Sequence, residues 1–243
     1  PGLDDYWQPY YAMFQNWPTQ QAYANGNPDY VNNTRNNATG AAIFDKNITG
    51  YTDDILKSMT ANFYAEYEFP IPGLKARVAY NYWISRRDDE EFEYTYKVYT
   101  YDKENDVYNE SWGNQNPWRR RVKDERVEKT FQAQINYDNT FEGKHHFSGV
   151  LGVETFEKER DFLLYNTMPT NNYIPLTNNY TDMTGIETVM EESARAGYIF
   201  RAAYDYSSKY FAEFSGRYDG SYLFRSGHRW GFFPSVSAGW RLS

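Results

Sequence analysis

The chain has 243 residues, carries a formal net charge of −8 and contains no cysteine. The acidic balance disfavours a general nucleic-acid surface, which needs a basic excess. The lack of cysteine excludes disulfide scaffolds, thiolate metal sites and thiol catalysis. Aromatic residues make up 20% of the chain, with 25 tyrosines, although the hydrophobic total is only 40%. Such a composition is typical of membrane interfaces and of sugar- or peptide-binding surfaces.

Residues 1–57 show no sustained hydrophobic period and are rich in Asn, Gly, Pro and Tyr. This composition predicts a long loop region. The first residues do not resemble a signal peptide, and they lack an initiator Met. We therefore expect either a processed chain or a piece of a longer protein.

From about residue 58, apolar and polar side chains alternate with a period of two. This pattern predicts strands that have one apolar and one polar face, and no helical segment is predicted. The predicted strands cover 58–69, 74–85, 127–138, 147–154, 194–206, 210–219 and about 230–242.

The predicted connections alternate in length. Short turns fall at about 70–73, 139–144 and 207–208, whereas long loops fall at about 86–125, 161–189 and 220–229. This alternation is typical of outer-membrane barrels and not of soluble sandwiches. In that interpretation, residues 1–57 and the long loops are extracellular.

The predicted fold class is all-β, an antiparallel transmembrane β-barrel segment within residues 58–243. The apolar face is built from Ala, Gly, Tyr and Phe, which lipid tolerates, and the opposite face carries charges that suit a wet or plugged lumen. About seven membrane strands are too few, and odd in number, for a closed bacterial barrel, and an open edge cannot face lipid. We therefore expect a larger barrel.

An ordered series of short motifs occupies residues 197–243. The motifs read GYIFR, YDY, RYDGS, RWGFFPS and SAGWR. In this order they resemble the SusC/RagA-like branch of TonB-dependent outer-membrane transporters, which is found in Bacteroidetes. The run at 221–224 is bulkier than that family pattern. The positions that carry the resemblance, and that we expect to be structural, are Gly197, Arg201, Asp205, Arg217, Asp219, Gly220, Trp230, Gly231, Phe233, Pro234 and Trp240.

The resemblance implies a 22-stranded, plugged barrel in the outer membrane of a Gram-negative cell, surrounded by lipid and lipopolysaccharide. It also implies import of oligosaccharides or peptides with a SusD-like surface lipoprotein. The TonB–ExbB–ExbD system would supply energy through a plug region that these residues do not include. Such transport involves no chemical step, so no enzyme activity, catalytic residue, cofactor or metal is expected.

Aromatic side chains in the loop regions are candidate ligand contacts, because an aromatic ring packs well on the C–H face of a sugar. Anchoring of the loops, or contact with the lipoprotein, is the alternative role. The candidates are Trp7, Tyr10, Tyr11, Trp17, Trp112 and Trp118.

Two runs of charge lie in the long loop at 86–125. The acidic run 88–91 has the oxygen ligands that calcium needs, and the basic run 119–121 could meet phosphates. We expect the two runs to pair with each other instead. His145 and His146 should face opposite ways, which disfavours a shared metal, and Gly216 and Gly239 should allow close strand packing.

Two other functions stay open from the sequence. A passive outer-membrane pore or adhesin would have the same strands but no plug domain upstream. A soluble, aromatic-rich carbohydrate-binding β domain would need no detergent, which the alternating Tyr, Phe and Ala faces argue against.

Overall fold

The structure is a computed structural model that describes residues 14, 17–33, 45–115, 117–173 and 183–242. Most described residues are in strands, as the alternation predicts, and two short helical segments were not predicted. These are a 3₁₀ turn at Ala24–Gly26 and a one-turn helix, α1, at Lys46–Thr49. The strands are β1 (Gly50–Glu68), β2 (Leu74–Glu93), β3 (Tyr96–Asp102), β4 (Val107–Asn114), β5 (Arg119–Phe141), β6 (His145–Thr167), β7 (Met183–Tyr206), β8 (Tyr210–Ser221) and β9 (Trp230–Trp240).

Seven strands form one sheet, in the order β1-β2-β5-β6-β7-β8-β9, and β3 pairs with β4 in a separate two-stranded sheet. Tight turns join β1 to β2, β5 to β6 and β7 to β8. In the last of these, Ser207 and Ser208 have φ values of +52° and +54°. This is the conformation of a type I′ turn, whose twist matches that of an antiparallel hairpin. The all-β, antiparallel fold class is therefore confirmed.

The chain divides into two units, each described by itself. The strand unit comprises residues 57–86, 125–161 and 189–243, and the loop unit comprises 1–56, 87–124 and 162–188. The assignment of residues 1–57 to an extracellular loop region stays a prediction, as does that of the loops at 86–125, 161–189 and 220–229. Within the described ranges, no helical segment has the length and apolarity that a bilayer crossing requires.

One face of the strand unit is apolar and exposed. Every second side chain along each strand contributes to it, and Phe63, Leu151 and Val236 are 65%, 64% and 76% exposed. Large exposed hydrophobic side chains at these alternate positions are Met59, Phe63, Tyr67, Val78, Tyr80, Phe131, Ile135, Phe147, Leu151, Tyr198, Tyr204, Phe214, Tyr218, Phe232 and Val236. A continuous apolar surface of this extent needs a covering that is not water.

The apolar band has a sharp limit on five strands. Two residues beyond the last apolar side chain of the same face, the side chain is charged in four of these strands, and in β6 the uncharged Thr155 comes before the charged residue. These limiting residues are Lys57, Arg86, Lys129, Glu157 and Glu192. The strands β8 and β9, with 12 and 11 residues, lie inside the band. About 9–11 tilted residues suffice for a strand to cross the hydrocarbon layer of a membrane.

Buried hydrophobic side chains are concentrated in the loop unit. Among the described residues they are Ala24, Val31, Phe92, Val98 and Val122. The strand unit therefore does not follow the pattern of a soluble sandwich, in which two sheets enclose a shared apolar core.

Candidate functional site

The polar face of the strand unit carries a cavity of about 490 Å³. Strands β6, β7, β8 and β9 supply its walls, together with the connection between β8 and β9. The family-motif residues that line it are Gly197, Arg217, Asp219, Gly220, Trp230, Gly231 and Phe233. Most of the recognised motif positions thus surround one space, although they come from three different strands.

Arg217 is the central charged residue of this cavity. Its Nε and Nη2 donate to the two carboxylate oxygens of Asp219, at 3.1 Å and 3.0 Å, and Nη2 lies 3.6 Å from Glu154 Oε1. Glu154 also accepts a hydrogen bond from Gln132 Nε2. A fork-shaped guanidinium suits such a two-oxygen contact, which fixes the position of both side chains.

Glycines leave the space that these contacts occupy. Gly197 lies directly opposite Asp219 in the β7–β8 pair, and a Cβ there would collide with the Asp219 carboxylate. A Cβ on Gly220 would lie 2.7 Å from the ring of Trp230. Glycine is therefore needed at positions 197 and 220, because the side chains of Asp219 and Trp230 on the neighbouring strands fill the space that a Cβ would take.

A second cavity, of about 260 Å³, lies near the β7–β8 turn. Arg201 and Asp205 line it, and Arg201 Nη2 donates to Glu213 Oε2 at 2.7 Å. Asp205 accepts from the backbone N–H of Ser208 at 2.6 Å, which stabilises the turn. The other motif positions face their cross-strand partners: Pro234 is opposite Gly216, and Trp240 is opposite Tyr210.

Trp112 organises the loop unit. It pairs with Val98 across the β3–β4 hairpin and packs against the cluster formed by Val31 and Val98. Its indole Nε1 donates to Asn33 Oδ1 at 2.9 Å. The segment 22–33 is thereby held against the hairpin, and the ring of Tyr30 stacks on that of Tyr108 with centroids 3.9 Å apart.

Arg119 is 1% exposed at the start of β5. Its guanidinium carbon lies 3.6 Å from the centroid of the Phe92 ring, and its nitrogens donate to the backbone carbonyls of Glu93, Trp118 and Asn172. Burial lowers the pKa of Arg119 from its ordinary value. Arg119 therefore ties three separate stretches of backbone together.

The acidic and basic runs of the loop unit pair as predicted. Arg120 contacts Glu91 at 3.0 Å, and Arg121 contacts Glu90 at 2.7 Å and Asp88 at 4.0 Å. The remaining acid, Asp89, accepts from Arg87 Nε at 2.9 Å, and this hydrogen bond raises the pKa of Arg87. The two runs neutralise each other across β2 and β5. Arg119 differs from the other two arginines because it packs on an aromatic ring.

The predicted aromatic ligand contacts do not share one environment. Trp7, Tyr10 and Tyr11 lie outside the described residues, whereas Trp17 is 65% exposed. Trp112 is held as described, and the backbone of Trp118 exchanges hydrogen bonds with that of Glu93, at 2.9 Å and 3.3 Å. A ligand-binding role for these six residues stays a prediction.

The histidine pair points to opposite faces of β6, as predicted. His145 Nδ1 lies 2.6 Å from the Tyr204 hydroxyl, whereas His146 Nε2 lies 3.2 Å from Asp138 Oδ1. In the part of the chain that the structure describes, no three His, Asp or Glu side chains are gathered in a way that could hold a metal ion.

Glu154, Phe156 and Arg195 also line the larger cavity, and they are not among the residues that the sequence singles out. The alternation along β6 and β7 puts Glu154 and Arg195 on the polar face, and it gives no reason to select Phe156. Arg195 lies over the Phe156 ring with its guanidinium carbon 4.5 Å from the centroid. The alternation gives the face of each side chain, but it does not show which neighbours on the next strand come opposite.

Comparisons with known proteins agree with this architecture. No family model matches the chain. Over 126 residues, 49% of the chain, it is 32% identical to TonB-dependent receptor P39 of Formosa agariphila, of which this match covers 12%. The chain thus spans about an eighth of that curated relative.

Solved structures of a peptide transporter have a similar fold. The RagAB peptide importer in its closed-closed state matches 82% of this chain with a TM-score of 0.64 and 20% identity, and the match covers 21% of that chain. The open-open state matches 88% with a TM-score of 0.64 and 20% identity, covering 23% of its chain. The predicted resemblance to the SusC/RagA-like TonB-dependent transporters is thus confirmed, by a sequence match to 49% of the chain and by a similar fold across most of it.

Proposed function

We propose that this chain is part of a TonB-dependent transporter of the outer membrane that imports oligosaccharides or peptides with a SusD-like surface lipoprotein. One observation carries the proposal. The strand unit has a continuous exposed apolar band on one face and a charged, largely ion-paired face behind it. A barrel wall needs these two faces, one for lipid and one for an aqueous or plugged lumen.

The solute path then follows the polar face. Ion pairs such as Arg201–Glu213 and Arg217–Asp219 lie along it. A polar wall suits a hydrated solute that is too large for a passive pore, and movement past a plug requires energy from outside the barrel. We infer that the loop unit lies in water on the extracellular side, because its parts of β2 and β5, residues 87–93 and 119–124, carry charges on both faces. Trp17 is its exposed aromatic candidate for contact with the solute.

The cargo, the lipoprotein partner and the energy source of the proposed transporter have different kinds of support. The structural relatives are a peptide importer, which favours peptides as the cargo. Exposed aromatic side chains in the loop unit favour sugar stacking equally well. The lipoprotein partner and the inner-membrane energy source follow from the family resemblance.

Uptake by living cells tests the proposal. The gene for the full-length protein is deleted in its native host, and uptake of fluorescent oligopeptides and oligosaccharides is measured with and without a protonophore. We expect deletion to abolish uptake of one solute class, complementation to restore it, and the protonophore to stop it. Affinity purification of the tagged protein should recover a surface lipoprotein.

The same experiment distinguishes the alternatives. Uptake that continues in the presence of the protonophore, and in a strain without TonB, would indicate a passive pore. Recovery of the protein in the soluble fraction would indicate a carbohydrate-binding domain instead.

A further inference from the structure

The larger cavity on the polar face carries more positive than negative charge. Arg195, Arg217 and Arg229 line it, together with the carboxylates of Glu154 and Asp219. Both carboxylates contact the same guanidinium, that of Arg217. The group formed by Arg217, Glu154 and Asp219 therefore has a net charge of −1, and Arg195 and Arg229 bring the cavity to a net charge of +1.

Arg195 and Arg229 have no carboxylate partner within 4 Å among the described residues. Arg195 packs its guanidinium on the Phe156 ring. Arg229 donates from Nε to the carbonyl oxygen of Phe224 at 3.0 Å, a bond that uses one of its five N–H groups. Stacking uses the face of a guanidinium and leaves its N–H edge available, so both side chains keep donors for a further acceptor.

We propose that this cavity is a binding site for an oxyanion of the transported solute, a carboxylate or a sulfate group. The inference rests on the proposed transport function and adds a substrate class to it. Arg195 and Arg229 supply charge-assisted hydrogen bonds, which are the strongest hydrogen bonds that a side chain can donate to an oxyanion. Phe233 lines the same cavity and provides apolar contact for the rest of the solute. The ring of Trp230 stacks on Tyr198 and Tyr218, on the apolar face of the sheet.

Binding of matched neutral and anionic solutes tests this site. The probes are an N-acetylated, C-amidated tripeptide with a central aspartate and its asparagine analogue, and a sulfated disaccharide and its desulfated form. Calorimetric titrations use the purified full-length transporter. The variants are the double substitution R195Q/R229Q and the control R225Q. Arg225 belongs to the same β8–β9 connection but does not line the cavity.

We expect the anionic member of at least one pair to bind about tenfold more tightly than the neutral member, since each good hydrogen bond to a charged group contributes on that scale. The preference should fall to about twofold or less in R195Q/R229Q and stay unchanged in R225Q. If only the peptide pair shows tighter binding of its anionic member, the site binds a carboxylate. If only the sugar pair does, the site binds a sulfate group. Heat-modifiable migration of each variant checks that it is folded.

Several results would overturn the site. Equal binding of both members of each pair would do so, as would the absence of binding by any probe. A loss of preference in R225Q equal to that in the double variant would assign the effect to general surface charge. Uptake of the neutral probes in cells with and without TonB is a separate readout, because it tests the transport function and does not depend on Arg195 or Arg229.

Discussion

The ring of Phe200 on β7 covers Gly216 on β8, its directly opposite partner, and fills the space that a Cβ on Gly216 would need. Phe200 also packs near Phe214 and Phe232, with ring centroids 5.5 Å and 5.8 Å away. An aromatic side chain laid over a glycine in the neighbouring strand covers backbone that the glycine leaves open.

Gly216→Ala should therefore destabilise the folded sheet by about 1–3 kcal/mol, because the added methyl displaces a ring that is already packed on two others. Gly239→Ala is the matched control, since a Cβ there would lie 3.7 Å from its nearest neighbour, Phe211. The measurement is the temperature at which the folded, heat-modifiable band is lost on electrophoresis. Equal shifts for the two variants would contradict the role given to Phe200.

Ile135→Lys should prevent folding into a bilayer, or weaken it by about 2–4 kcal/mol, the cost of a lysine near the membrane midplane. Ile135 is 48% exposed on the apolar face of β5. Gln134→Lys, one residue away on the polar face, should be nearly neutral. Refolding yield into lipid vesicles measures both. If the two variants refold equally well, the apolar band does not face lipid.

Arg119→Met should loosen the loop unit, because three backbone carbonyls lose a charged donor while the side chain keeps its approximate length. A loss of about 2 kcal/mol is expected for the unpaired acceptors. Hydrogen exchange followed by mass spectrometry should show faster exchange in peptides that include residues 93–95, 117–119 and 171–173. The exposed Lys123 gives the control substitution Lys123→Met, and an identical exchange pattern in the two variants would refute the role of Arg119.

Trp112→Ala should release the segment 22–33 from the β3–β4 hairpin, since it removes both the indole hydrogen bond and the packing on Val98. Limited proteolysis should then cleave within 22–33 much earlier than in the parent protein. Trp17→Ala, which changes an exposed side chain, should leave the cleavage pattern as it is. Protection of the segment in both variants would show that other contacts hold it.

The alternation of side chains was sufficient to predict the strands in the apolar band, because a sheet with one apolar face has a simple period in sequence. It was insufficient for the outer end of β1. Strand β1 begins at Gly50, whereas alternation becomes visible only at about residue 58. Residues 51–57 of β1 include polar side chains on both faces, so no period distinguishes them from a loop.

The candidate site was predictable only in part for a related reason. Residues 119–121 are three identical arginines, and the sequence correctly predicts ion pairs for the second and third. The first differs because Phe92 and Asn172, distant in sequence, lie beside it. In the same way, the motif identified Arg217 and Asp219, but Arg195 and Phe156 become recognisable only when β6 and β7 are placed side by side.

Different interactions stabilise the same strand on the two sides of the charged limit of the apolar band. Along β5, ion pairs such as Arg121–Glu90 and Lys129–Glu159 stabilise the residues up to Lys129. From Phe131 onward, exposed apolar side chains line one face of the strand. Added salt weakens the first kind of interaction, because the Debye length falls from about 10 Å at 0.1 M to about 3 Å at 1 M, and it hardly affects the second. Raising the ionic strength should therefore destabilise the outer ends of β2 and β5 before it affects the rest of these strands. The parts of β2 and β5 that lie within the apolar band would stay folded. Each strand would therefore unfold in two steps and not all at once.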